Sequence, residues 1–454
     1  MRGLRSFLLL LVVALGLGAY VYFVESKRDP SSGDSREKVF AGLAADAIQE
    51  VAVKSEKGER TALKKADGNW QIVEPATASS DSAEVSGITS NLSNLEIQSV
   101  IDENPQDLQQ YGLDPARVEV TFKAGGQERR LLIGGKTPPG TDLYAKIGDS
   151  PRVFLVSSYL DSTFNRSTFD LRDKAVLTVD RDSIEAVAIT TGDRTVRFNK
   201  AGNEWRIAAP IEARADTSAI DGLVNRLDTL QMKSIAAPEA KSAAEYGLDK
   251  PAATVQLGSG SSQATLLIGK SAGEGVVYAR DASKPMVVTV DAGLLEDLKK
   301  EPGSYRQTDL FDARAFNASH LDITTSSGTV QFEKARVKNK DGQEEERWRQ
   351  VAPSQQDVDN AKLDALLTAI TQSRATSFVE STGKTGLNKP ELTVTVKSSE
   401  GKREETVRFA RSGSDGYAAR SGEGGAAKVD IAVIEAIVKA LQDVQKPAET
   451  PAKN

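Results

Sequence analysis

Gly68-Asn69-Trp70-Gln71-Ile72, Asn203-Glu204-Trp205-Arg206-Ile207 and Glu346-Arg347-Trp348-Arg349-Gln350 hold the three tryptophans of the chain, spaced 135 and 143 residues apart. A proline follows each indole by five residues (Pro75, Pro210, Pro353) and an aspartate by eleven (Asp81, Asp216, Asp359). A rare residue returning in one frame marks three copies of a single folding module.

Each aspartate opens a helical pattern. Val85, Ile88, Leu92 and Leu95 step by three, four and three, as do Ile220, Leu223, Leu227 and Leu230, which places each set on one helix face. The third copy reads Leu363, Leu366 and Ile370, then turns polar at Ser373. The aspartates are expected to be N-caps, where a carboxylate accepts from free N–H groups and suits the positive helix end.

A second signature follows each helix: Tyr111-Gly112-Leu113-Asp114-Pro115, Tyr246-Gly247-Leu248-Asp249-Lys250-Pro251 and Thr385-Gly386-Leu387-Asn388-Lys389-Pro390. Glycine permits a left-handed turn and proline ends any helix. Strand-like runs then appear at Val118 to Phe122, Thr254 to Leu257 and Leu392 to Val396. Leu131-Leu132-Ile133-Gly134 and Leu266-Leu267-Ile268-Gly269 come next, followed by Tyr144-Ala145-Lys146, Tyr278-Ala279-Arg280 and Tyr417-Ala418-Ala419-Arg420. Short closing helices are expected near Ser158 to Phe164 and Ala292 to Lys299. The hairpin-length connections favour antiparallel pairing, so the fold class is α+β: three tandem α/β modules with mainly antiparallel sheets, over residues 41–172, 173–302 and 312–445. Extra charged residues between Glu333 and Arg347 predict a longer hairpin in the third module.

Ahead of the modules, Phe7 to Val24 is an uncharged run of 18 residues. At 1.5 Å per residue it reaches about 27 Å, near the thickness of a bilayer core. Arg2 and Arg5 precede it, while Glu25, Lys27, Arg28 and Asp29 cancel beyond it. That bias places residues 1–6 in the cytoplasm and the modules outside. The alternative is a cleaved signal peptide, whose small-residue sites at 14–16 and 16–18 fall inside the apolar run. Residues 25–40 read as a polar linker and 446–454 as a frayed tail.

A net charge of −6 on 454 residues argues against a nucleic-acid partner. With no cysteine, thiolate zinc sites, iron–sulfur clusters and cysteine nucleophiles are excluded. With His320 the one histidine, so are multi-histidine metal sites within one chain. Gly135-Lys136-Thr137, Gly269-Lys270-Ser271 and Gly383-Lys384-Thr385 lack the upstream glycine of a phosphate loop and read as hairpin turns. No catalytic residue, metal or cofactor is expected. Each tryptophan is expected to cap its own core, with a glycan or peptide platform as the alternative. Tyr144 with Lys146, Tyr278 with Arg280 and Tyr417 with Arg420 are read as stacked tyrosine–cation pairs, structural or part of a partner surface.

The membrane helix, the Trp-x-Ile strand, the Tyr-Gly-Leu-Asp-Pro turn, the Leu-Leu-Ile-Gly strand end and the Tyr-Ala-Lys/Arg strand together resemble a bacterial family, the domain of unknown function 4340. They run from Ala45 to Leu441, and the third copy departs in Thr385 and in lacking Leu-Ile-Gly. The resemblance implies a non-enzymatic, extracytoplasmic accessory of ABC-type transport systems of the gliding-motility kind, or of other envelope proteins, anchored in the inner membrane. It supplies no site residues. An envelope glycan- or peptidoglycan-binding module and a hydrolase with an acidic site in one module are the alternatives.

Overall fold

The computed structural model describes residues 36–259, 262–338, 343–399 and 401–446. The expected span at 7–24, the linker up to residue 35 and the tail at 447–454 lie outside them. Among the described residues no helix is long and apolar enough to cross a membrane. The chain divides between Lys174 and Ala175 into two compact units.

The first unit contains β1 (Ile48–Lys54), β2 (Arg60–Ala66), β3 (Asn69–Glu74), β4 (Ala78–Ser79), α1 (Ser82–Asn94), β5 (Ser99–Asp102), β6 (Val118–Ala124), β7 (Gln127–Lys136), β8 (Asp142–Ile147), β9 (Val153–Ser157), α2 (Leu160–Phe164) and α3 (Thr168–Leu171). Its sheet has nine strands in the order β4-β3-β2-β1-β6-β7-β8-β9-β5. Two antiparallel meanders therefore meet at the β1–β6 pair, and α1 carries the chain from one sheet edge to β5 at the other. Helix α1 lays Val85, Ile88 and Leu92 on the sheet, where they meet Val51, Val53, Leu63, Val120, Phe122 and Leu131. Each such side chain contributes about 1.5–3 kcal/mol on burial.

The second unit holds two more sheets with this strand order. One comprises β10 (Ala186–Thr191), β11 (Arg194–Ala201), β12 (Glu204–Ala209), β13 (Ala213–Arg214), β14 (Ser234–Ala237), β15 (Ala253–Ser259), β16 (Ser262–Gly273), β17 (Val276–Asp281) and β18 (Val287–Asp291), with helices α4 (Thr217–Asp228) and α5 (Gly293–Leu298). The other comprises β19 (Ala318–Thr325), β20 (Gly328–Lys338), β21 (Glu344–Ala352), β22 (Gln356–Asp357), β23 (Ser377–Val379), β24 (Leu392–Ser398), β25 (Arg403–Ser412), β26 (Asp415–Arg420) and β27 (Ala426–Val429), with α6 (Asn360–Thr371) and α7 (Ile431–Gln445). Every pairing between these strands is antiparallel. Helix α7, at 15 residues, is far longer than the closing helices of the other modules, and its Ile434, Ile437, Leu441 and Val444 complete the third core.

Asp81 accepts from the Ala83 and Glu84 N–H groups, Asp216 from Ala219, and Asp359 from Ala361 and Lys362. Replacing Asp216 by Ala leaves that first turn without its side-chain acceptor. The expected loss is about 1 kcal/mol in stability of the second unit, read by chemical denaturation. At the polar end of α6 the Ser373 hydroxyl donates to the Ile370 carbonyl at 2.6 Å, so a buried serine is accommodated where the other copies hold leucine.

The start of the first module differs from expectation. Val39 and Phe40, assigned to the polar linker, are buried in the first core, with the Phe40 ring edge-on to Phe122 at 5.0 Å. An apolar pair after a polar run is the start of the module, and burial outweighs the polar neighbours. The lone His320 lies within β19.

Candidate interaction surfaces

Each indole lies opposite a lysine of the neighbouring strand: Trp70 faces Lys65, Trp205 faces Lys200, and Trp348 faces Lys334. Trp205 and Trp348 are buried at 2% and 4% exposure, with the lysine ammonium 5.7 and 5.4 Å from the ring centre. The Trp205 Nε1–H donates to Asp221 at 2.9 Å. Trp70 is only partly buried against its core.

The glycine signatures dock onto one another. Gly112, Gly247 and Gly386 adopt φ of 67°, 68° and 76°. A Cβ on Gly134 would stand 2.0 Å from the Tyr111 carbonyl oxygen, and one on Gly269 would stand 2.1 Å from that of Tyr246. The Leu-Ile-Gly strand end is therefore glycine because the Tyr-Gly-Leu turn rests directly on it. In the third module Ala410 holds that strand position beside Gly386, and Thr385 tucks its hydroxyl onto the Thr382 carbonyl at 2.7 Å.

The tyrosine strands differ from the expected tyrosine–cation pairs. Tyr144 packs against Tyr111, and Tyr278 against Tyr246, each with ring centres 5.0 Å apart. Lys146 is buried instead, donating to the Gly148 carbonyl at 2.5 Å. Burial, then the nearby Arg130, lowers its pKa. Arg420 follows Tyr417 by three residues rather than two, so the two side chains leave opposite faces of β26. Tyr417 packs beside Leu387 and Ala410, while Arg420 turns to Glu405, Asp312 and the Leu310 carbonyl.

One face of each sheet packs its helices and the other is open. On the first open face, Lys64, Glu50, Lys123 and Glu128 lie side by side across four strands in alternating sign. The matching row of the third sheet is Glu333, His320, Lys397 and Glu404. There His320 contacts Asp322 at 2.8 Å through Nε2 and Glu333 at 3.2 Å through Nδ1, which commits both ring nitrogens to carboxylates. In the second sheet the row is uncharged: Asn199, Ala186, Gly258 and Gln263. Hollows of about 300 and 430 Å³ lie over these rows in the first and second sheets.

A charged joint, without a repeat signature, links the second and third sheets. The turn between β26 and β27 delivers Glu423 to Arg214 at 2.6 Å and Arg306 at 3.1 Å. Arg306 and Glu423 are only 5% and 9% exposed. Arg214 also meets Asp312 at 2.5 Å, and the Arg306 guanidinium lies 4.3 Å from the Phe378 ring centre. The Gly424 N–H donates to the Glu212 carbonyl at 2.7 Å. Burial opposes charge on both arginines; Glu423 and Asp312 hold the Arg214 pKa above its ordinary value, whereas that of Arg306 is lowered.

Among the described residues no group of three or more His, Asp or Glu is arranged to hold a metal. The Gly-Lys-Thr triplet at 135–137 ends β7, and Gly269-Lys270-Ser271 lies inside β16. These repeated sheets coincide with a family model, the domain of unknown function DUF4340, that matches residues 70–204 and 205–390. The chain belongs to this family. Each DUF4340 match runs from one repeat tryptophan onward, so its frame begins in the third strand of a module. No curated protein matches the sequence. Two crystal structures of the DNA polymerase III subunit beta from Pseudomonas aeruginosa, one a DnaN sliding clamp bound to griselimycin, share 10% identity with the chain. They cover 86% and 85% of it and 92% of their own length, at a TM-score of 0.16, a likeness too slight to carry any argument.

Proposed function

We propose that this DUF4340 protein is a non-enzymatic accessory held in a bacterial inner membrane by residues 7–24, with its N-terminus cytoplasmic and its modules on the extracytoplasmic side. There its open sheet faces bind a protein partner, an ABC-type transport system. The observation that supports this reading is the contrast between the faces. Across the copies the helix-covered faces keep the same apolar pattern, while the matching four-strand row of the open faces changes from alternating charge to none. A set of binding surfaces calls for that combination, since electrostatic complementarity selects partners and the core only has to hold the sheet. The apolar run at 7–24 supports the membrane placement, and the family resemblance supports the transporter.

Affinity capture of the full-length chain from detergent extracts tests it. Transporter subunits are expected to co-purify. Recovery of none would overturn the proposal.

A further inference from the structure

The second module carries its open-face arginines differently from the other two. On the first open face Lys64 meets Glu50 at 3.2 Å and Arg130 meets Glu119 at 3.5 Å. On the third, Lys397 meets Glu404 at 3.3 Å and Arg349 meets Asp357 at 3.0 Å. On the second, the side chains of Arg197, Arg206 and Arg280 make no hydrogen bond or ion pair with any described residue, and the Arg280 Nε is buried without an acceptor. Arg197 is opposite Ala188, which is followed across the sheet by Gln256 and Thr265; Arg280 is opposite Leu267, followed by Thr254 and Thr190. None of these positions carries a carboxylate, and Glu185 is the one acidic residue lining the hollow.

The spacing of the cations limits what they bind. Arg197 on β11 and Arg280 on β17 are four strands apart, about 19 Å at 4.8 Å per strand. One phosphate or carboxylate cannot reach both. Nucleic acid, with a charge every ~1.7 Å of duplex, calls for far denser cations. A flat lipid surface does not fill a hollow of about 430 Å³. An extended peptide rises about 3.3 Å per residue, so carboxylates spaced along six or seven residues span the distance. Between the arginines, Asn199, Gln256 and Gln263 offer amides that pair with a peptide backbone.

We infer that the open face of the second module, with Arg197, Arg206 and Arg280, binds an extended acidic segment of a protein partner. This rests on the accessory reading above and adds to it the chemistry of the partner.

The test uses the full-length protein in detergent and a labelled ten-residue peptide alternating Glu and Ser. Saturable binding that weakens with added salt is expected, because exposed ion pairs are screened. It should fall at least about tenfold in R197E/R206E/R280E, persist in R197K/R206K/R280K, and hold within about twofold in K123Q on the first module. An unchanged titration in the charge-reversed variant would overturn the inference. So would equal binding of a Lys–Ser peptide, or displacement by phosphatidylglycerol nanodiscs that bind only the wild type, which marks a membrane face. The three side chains have no hydrogen-bond or ion-pair partner among the described residues, and matching melting curves confirm that the variants fold. Capture from extracts separates the two proposals. Equal partner recovery by wild-type and charge-reversed protein sinks this face and leaves the accessory role standing. Peptide binding with no partner from the wild type sinks the accessory role alone.

Discussion

Glu423→Ala is expected to destabilise the second unit by about 3–5 kcal/mol, because it leaves the buried Arg306 guanidinium without a carboxylate, while Arg214 keeps Asp312. Arg306 is 5% exposed and stacked on Phe378, so water cannot replace Glu423 without opening the joint. Hydrogen exchange reads the effect locally. Amides of the β26–β27 turn, including the Gly424 N–H on Glu212, should lose most of their protection. The companion change R306M/E423L removes charge from both sides and should lose less than about 2 kcal/mol, since replacing a buried pair with apolar groups is often neutral. A loss below about 1 kcal/mol in Glu423→Ala would show that the joint is not held by this network.

Gly134→Ala is the second large effect. A methyl group there meets the Tyr111 carbonyl oxygen at 2.0 Å, a backbone atom that no rotamer change can move aside. Overpacking costs about 1–3 kcal/mol when side chains can yield, and the upper end or beyond is expected here. Gly269→Ala should behave alike, at 2.1 Å from the Tyr246 carbonyl. The control is Gly87→Ala within α1, where nothing lies within 4 Å; it should stabilise by about 0.5–1 kcal/mol. Denaturation midpoints compare the three. If Gly134→Ala is neutral, the turn and strand end are not packed as described.

The parts of the fold legible in the sequence were those with local causes. Asp81, Asp216 and Asp359 cap helices because capping involves residues two or three positions away. Alternation within Val118 to Phe122 is enough to assign a strand and its buried side. Edge strands such as Ala78–Ser79 were not legible, because two residues carry no period and pairing alone defines them. Nor was the reason for Gly134, which lies in a carbonyl 23 positions earlier in the chain.

On the open faces the legibility is mixed. Parity along Tyr417-Ala418-Ala419-Arg420 already separates Arg420 from the tyrosine, since residues three apart on a strand point oppositely. The Tyr111–Tyr144 and Tyr246–Tyr278 pairs needed the turn docked on the strand end. The charge rows combine one residue from each of four strands, so they emerge only with the register. Glu423 belongs to a turn of the third copy alone and meets Arg214, 209 positions away, so repeat alignment could not single it out.

A photo-crosslinking amino acid placed in living cells at Gln256, and separately at Thr121 and Thr395, tests the central claim most directly. These three residues occupy the same position on the open faces of the second, first and third sheets. Irradiation should join a membrane-complex protein to the chain from Gln256, with far less from the other two. Equal adducts from all three positions, or none from Gln256 alone, would contradict the assignment of the binding face to the second module, and no adduct from any of the three would contradict the accessory role.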